Sequence, residues 1–177
     1  YAVKQGFVHN PPLVRINKDG KEKSISNLSY NTSYLKHDNG KLIWSEEIPD
    51  CRWSMKSDSR IRQMSIKGGR KKNISDRKKL LYNPSVKDGK TLAAEYFQQG
   101  HTAINIDGQT FAAPDSLQIV ETAWIGNNVY TSAISDNGFG IYHFSIDSHS
   151  WQVILSPVPV RIVNLSSLEN LLTFTCD

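Results

Sequence analysis

Tight turns recur along this 177-residue chain in alternating pairs, and that alternation restricts the fold more than any other feature. HDNGKLIW at 37–44, KDGKTLAA at 87–94, IGNNVYTS at 125–132 and LENLLTFT at 168–175 each set turn residues before a β-rich run. Between them come RINKDGKEK at 15–23, SIKGGRKK at 65–72, NIDGQTF at 105–111 and FSIDSHSW at 144–151. Asp-Gly, Asn-Gly and Gly-Gly reach positive φ with little strain, as two-residue hairpin loops require. Two hairpins per period of roughly 40 residues predict four-stranded blades. The expected class is all-β: a β-propeller of four-stranded antiparallel blades, about four of them, in an incomplete ring.

The third and fourth units show the order most plainly. LLYNPSV, the turn Asp88-Gly89, TLAAEYF, the loop QQGH, TAINI, the turn Asp107-Gly108 and QTFAA read as strands A to D of one blade. QIVETAW, the turn at 125–128, VYTSAI, the loop SDNGFG, IYHFSI, the turn DSHS and WQVIL read as the next. The whole of 1–177 is then one propeller, in units 1–29 (partial), 30–76, 77–115, 116–157 and 158–177 (partial). The first unit lacks an A strand and the last stops after a B strand, so the expectation is a fragment of a longer propeller. No apolar run reaches the 18 or more residues of a membrane-spanning helix.

The segment ISDRKKLLYNPSVKDGKTLAAEYF at 74–97, followed by INIDGQ, resembles the TolB-type propeller repeat, whose box runs from Leu-Thr through a spacer to Ser-Pro-Asp-Gly-Lys. Here Ile74-Ser75 stands for the first part and Ser85-Val86-Lys87-Asp88-Gly89-Lys90 for the second, with the Pro absent. The resemblance implies a bacterial periplasmic or cell-envelope location and a recognition or scaffolding role. WD and kelch repeats fit less well, since no Trp-Asp ends a strand and Gly-Gly occurs once. The sialidase Asp-box fails because Ile43 stands where an aromatic is needed.

In propellers the B-to-C and D-to-A loops open on one face, the usual binding surface by analogy of fold. The longest such loop is expected from Glu46 to Arg60, with Glu46, Glu47, Asp50, Arg52 and Trp53 as candidate contacts for a protein or glycan partner. The plainer expectation is that Trp53 packs over a blade edge with Arg52 snorkelling across it. His101, after Gly100, and Asp136, in the SDNGFG loop, complete the candidates. The other histidines are scattered and no HExxH, CxxC or G-x-S-x-G occurs, so no metal, cofactor or catalytic residue is assigned. Cys51 and Cys176 are read as free thiols.

From Arg52 to Lys79 there are eleven Lys or Arg against two Asp, leaving the remainder net acidic. Arg70-Lys71-Lys72 and Arg77-Lys78-Lys79 flank an outer D strand, where Lys discourages edge-to-edge pairing. Without interleaved aromatics they do not predict nucleic-acid binding. The leading expectation is a non-catalytic binding or scaffold module, with possible homodimers through open blade edges. The alternative is an accessory or gating propeller of a larger peptidase or hydrolase; a metal-dependent lyase would need a His and Gln cluster.

Overall fold

The structure, a computed structural model, describes residues 1–4, 11–29, 31–32, 35–49, 52, 57–75, 79–97, 100–168 and 170–177. The apolar runs between turns become strands, all antiparallel. The first sheet holds β1 (Ala2–Val3), β2 (Pro12–Ile16) and β3 (Glu22–Asn27). In the second, β4 (Asn31–Thr32) and β5 (Lys36–Asp38) both pair with β6 (Lys41–Pro49), which continues to β7 (Ser57–Ser65) and β8 (Lys72–Asn73). The third runs through β9 (Leu80–Lys87), β10 (Lys90–Tyr96), β11 (Thr102–Ile106) and β12 (Gln109–Ala112). The fourth comprises β13 (Gln118–Ile125), β14 (Asn128–Ser135), β15 (Gly138–Ser145) and β16 (Ser150–Val158). Last, β17 (Ile162–Leu168) pairs with β18 (Leu171–Cys176). Among the described residues the sheets do not close into a ring.

Turn chemistry sets the register. Asn39-Gly40, Asp88-Gly89 and Asp107-Gly108 all have both φ angles positive, between 45° and 89°, which joins strands through two residues only. Because side chains alternate across each strand, one strand feeds two cores. Leu42 and Trp44 of β6 pack toward the first sheet with Leu13, Leu28 and Met64, while Ile43 between them packs toward the third with Ile61, Leu81 and Ala93. On β10 the same alternation sends Leu92 and Ala94 toward the fourth sheet, against Trp124, Val129 and Phe144, and Ala93 the other way. Ala123 and Ile141 face β17 through Ile162 and Leu165. The central parts of β6, β10 and β13 are therefore covered on both faces, as the apolar runs Leu42-Ile43-Trp44 and Leu92-Ala93-Ala94 reflect.

Two loop expectations are corrected. The segment 46–60 is mostly strand: β6 and β7 stay paired from Lys41↔Ser65 to Pro49↔Ser57, so Glu46, Glu47, Asp58 and Arg60 lie within the sheet. The SDNGFG segment is a tight turn, since β14 and β15 pair as far as Ser135↔Gly138, with Asp136-Asn137 between. Lys79 is not an edge guard either. Its ammonium points into the third sheet and donates to Gly108 O at 2.8 Å and Thr110 Oγ1 at 2.5 Å. Lys72, exposed on outer strand β8, fits the edge role. Arg77 and Lys78 lie outside the described residues.

Candidate functional site

One strand from each of four successive sheets, β5, β9, β13 and β17, meets around a narrow cavity of about 100 Å³ lined by Lys36, Ser85, Thr122, Trp124 and Ser166 among others. Three of these strands are irregular at equivalent points. In β9 the register shifts at Asn83, which sits at φ 47°, and in β17 at Asn164, at φ 57°. In β13 it shifts between Ile119 and Glu121. A bulge releases backbone groups from the ladder, and buried groups of that kind need other partners. Neighbouring strands supply them. Asn83 Nδ2 donates to Val120 O at 2.8 Å, Thr122 Oγ1 donates to Asn83 O at 3.2 Å, and Leu165 N donates to Glu121 Oε2 at 2.5 Å.

Lys36 closes this circuit by donating from Nζ to Leu165 O at 2.7 Å, joining β5 to β17 across the cavity. Burial pushes its pKa down, and the Glu121 carboxylate pulls it partly back up. Tyr96 donates to Ile119 O at 2.9 Å and meets Tyr82 edge-on at 5.2 Å; burial raises both phenols above their ordinary value. The signs oppose each other. With folded pKa values above 10.0, the tyrosines contribute stability that is complete below that pH and lost as pH rises through the folded values. Lys36, with a folded pKa below 10.5, is unfavourable while charged, and this penalty fades as pH rises. Urea midpoints from pH 8 to about 11 are therefore expected to fall less steeply in Tyr96→Phe than in the native chain, and more steeply in Lys36→Met.

The sequence-predicted contacts are dispersed. Glu46 is buried in β6 and accepts from Trp44 Nε1 and Arg62 Nε, both at 3.0 Å, so it braces the second sheet. Glu47 accepts from Asn31 Nδ2 at 3.2 Å. Arg52 is exposed. Asp50, Trp53 and Cys51 lie outside the described residues, and Cys176 is exposed in β18. Two candidates lie near an outer cleft. Asp136 lines a cleft of about 400 Å³ whose apolar walls include Pro114, Leu117, Tyr142, Trp151 and Val153. His101 lies with Nδ1 3.7 Å from Asp115 Oδ1, and Asp115 stands between the cleft residues Pro114 and Ser116. Among the described residues, no group of three His, Cys, Asp or Glu side chains is placed to hold a metal ion.

Besides Glu121, the buried carboxylate of Glu95 escaped the sequence reading. Glu95 of β10 accepts from Asn105 Nδ2 at 2.9 Å and Thr110 Oγ1 at 2.6 Å, with Lys79 Nζ at 3.6 Å. It occupies the place of Glu46 one sheet on. Gly40-Lys41 and Gly89-Lys90 each precede their glutamate by the same interval, and Arg62 and Asn105 take matching positions on the next strand.

No protein-family model and no curated protein sequence matches the chain. Solved structures do. The acylaminoacyl peptidase of Pyrococcus horikoshii matches 94% of this chain with a TM-score of 0.63 at 14% identity, over 27% of its own length. An acylaminoacyl peptidase in complex with Z-Gly-Gly-Phe-chloromethyl ketone matches 90% with a TM-score of 0.61, again at 14% identity and over 26% of its length. The matched parts are propeller domains. The sheets are blades of a β-propeller. The tricorn protease matches 87% of the chain at a TM-score of 0.50 and 15% identity, over 16% of its length. At such identities the likeness is one of propeller fold, and the chain spans about a quarter of the length of the acylaminoacyl peptidases it matches.

Proposed function

We propose that this chain is a section of the propeller of a larger peptidase, acting as the accessory or gating part that decides what reaches a catalytic site elsewhere in the protein. The observation that carries this reading is the agreement with an acylaminoacyl peptidase over 94% of this chain and only 27% of that one. The inner strands supply the physical means. A cavity of about 100 Å³ crossed by the Lys36 to Leu165 hydrogen bond admits no folded domain, so selection would fall on the size and extension of the substrate. In this reading the chain's own residues shape the passage, and the bond-breaking chemistry lies outside it.

The protein that carries this chain, tagged and purified from its own cells, is expected to cleave short peptides and to spare a folded protein containing the same cleavable sequence. Lys36→Ala, which removes the bond across the cavity, is expected to raise the cleavage of longer peptides relative to short ones. Cleavage of short and folded substrates at equal rates would remove the gating role.

The cleft beside Asp136 favours a second reading, a non-catalytic module presenting loops to a protein or glycan partner. TolB-like kinship and a periplasmic or cell-envelope location belong with that reading. They rest on the Asp88-Gly89-Lys90 box and its neighbours.

A further inference from the structure

Outer strands of sheets carry unpaired backbone groups, and proteins guard them with charge, brevity or proline. β3 carries Glu22 and Lys23, β8 carries Lys72, and β12 has four residues. β16 has neither charge nor brevity and relies on Pro157 and its register shifts alone. It is nine residues long, pairs among the described residues only with β15, and holds no charged side chain from Ser150 to Val158. Val153 and Ile154 are 52% and 51% exposed. The register shifts at Ile154, between the pairs Ile141↔Leu155 and Tyr142↔Val153. A second shift falls at Ser156-Pro157, between the pairs Phe139↔Val158 and Ile141↔Leu155, and Pro157 cannot donate to an added strand, so the regular edge is 150–153.

The cleft of about 400 Å³ adjoins this edge and shares Trp151, Val153 and Pro157 with it. Trp151 is fixed by donating from Nε1 to Ala112 O at 3.2 Å, leaving its ring against Phe144. The cleft lining itself holds one charged side chain, Asp136. No Lys or Arg occurs between Lys90 and Arg161, whereas Asp115 and Asp136 stand exposed at the rim. The surface therefore offers unpaired backbone groups, an apolar slot and two carboxylates, which match an extended peptide with alternating apolar side chains and positive charge.

We propose that the β16 edge and its cleft form a docking site for an extended, cationic, apolar peptide segment, added as a strand beside β16. One apolar side chain seats over Trp151 and Val153, and a Lys, Arg or free amino terminus of the peptide faces Asp136 and Asp115. The site lies on an outer strand, away from the cavity of the inner strands, and does not depend on the peptidase reading.

The test uses a pool of hexapeptides with alternating Ile or Val and Thr, flanked by Lys and Arg, beside the same cores flanked by Glu, titrated calorimetrically at low salt. The cationic pool is expected to bind and the acidic pool not. Asp136→Asn, an exposed change that leaves the fold intact, is expected to weaken binding about three-fold at low salt. Val153→Lys places a guard on the edge and is expected to abolish binding without moving the melting temperature. Equal binding of both pools, no binding of either, or indifference to Val153→Lys would overturn the proposal. So would light scattering that shows a dimer dissociated by Val153→Lys in a chain that binds no peptide, because the edge would then belong to a second copy.

Discussion

An alanine at Gly138 is expected to destabilise the chain by about 3 kcal/mol or more, one of its largest single-site effects. Gly138 sits at φ 115°, where L residues are strained, and a Cβ there would lie 2.3 Å from Val158 O and 2.8 Å from Val158 C. Those are backbone atoms of β16, next to the Phe139↔Val158 pair, and no side-chain rotation can relieve the overlap. The whole end of β16 would have to move. Gly126 supplies the contrast: it too has positive φ, at 56°, but nothing lies within 4 Å of its added Cβ. Gly126→Asn is expected to cost under about 1 kcal/mol, since Asn tolerates the left-handed region. Urea unfolding of the two variants measures the difference; equal midpoints would mean that β16 does not press on Gly138.

The second large effect is expected at Glu95, where Glu95→Ala should cost about 3 kcal/mol. The carboxylate is only 4% exposed, and its removal strands the donors of Asn105 and Thr110. The nearby Lys79 accounts for a small part, because its ammonium is 3.6 Å from Glu95 and keeps its bonds to Gly108 and Thr110. Lys79→Met is therefore expected to cost about 1 kcal/mol or less. Denaturant midpoints of the two variants check the ordering, and a larger loss from Lys79→Met would make the ion pair, not the hydrogen bonds, the main support.

The hairpin plan was legible because Asp-Gly and Asn-Gly announce themselves: Asp88-Gly89 and Asp107-Gly108 fall between paired strands with the positive φ angles that those residues permit. The inner-strand bulges were not. Asn83-Pro84 carries a breaker signal that the reading of LLYNPSV as plain strand passes over, whereas Val120 and Asn164 lie in ordinary β-rich text; the neighbouring strands' hydrogen bonds hold the bulged groups. Charge misled the reading of 46–60. Glu46 looks like a loop residue until Arg62 is seen to satisfy its carboxylate inside the sheet. The Glu46 and Glu95 equivalence was readable in principle, as a glutamate at a fixed interval after Gly-Lys in two blades. The outer cleft gathers Pro114, Asp136, Tyr142 and Trp151 from four separate segments, and no spacing along the chain brings them together.

The proposed reading, that these blades belong to a peptidase whose catalytic site lies outside them, is tested most directly by covalent labelling. The tagged protein that carries this chain is treated with Z-Gly-Gly-Phe-chloromethyl ketone, the compound bound in one of the matching acylaminoacyl peptidases, and the modified residue is located by mass spectrometry. The account predicts modification on the same polypeptide at a residue outside 1–177, with loss of short-peptide cleavage. A protein left unlabelled and inactive toward short peptides would contradict it, as would modification confined to residues of this chain.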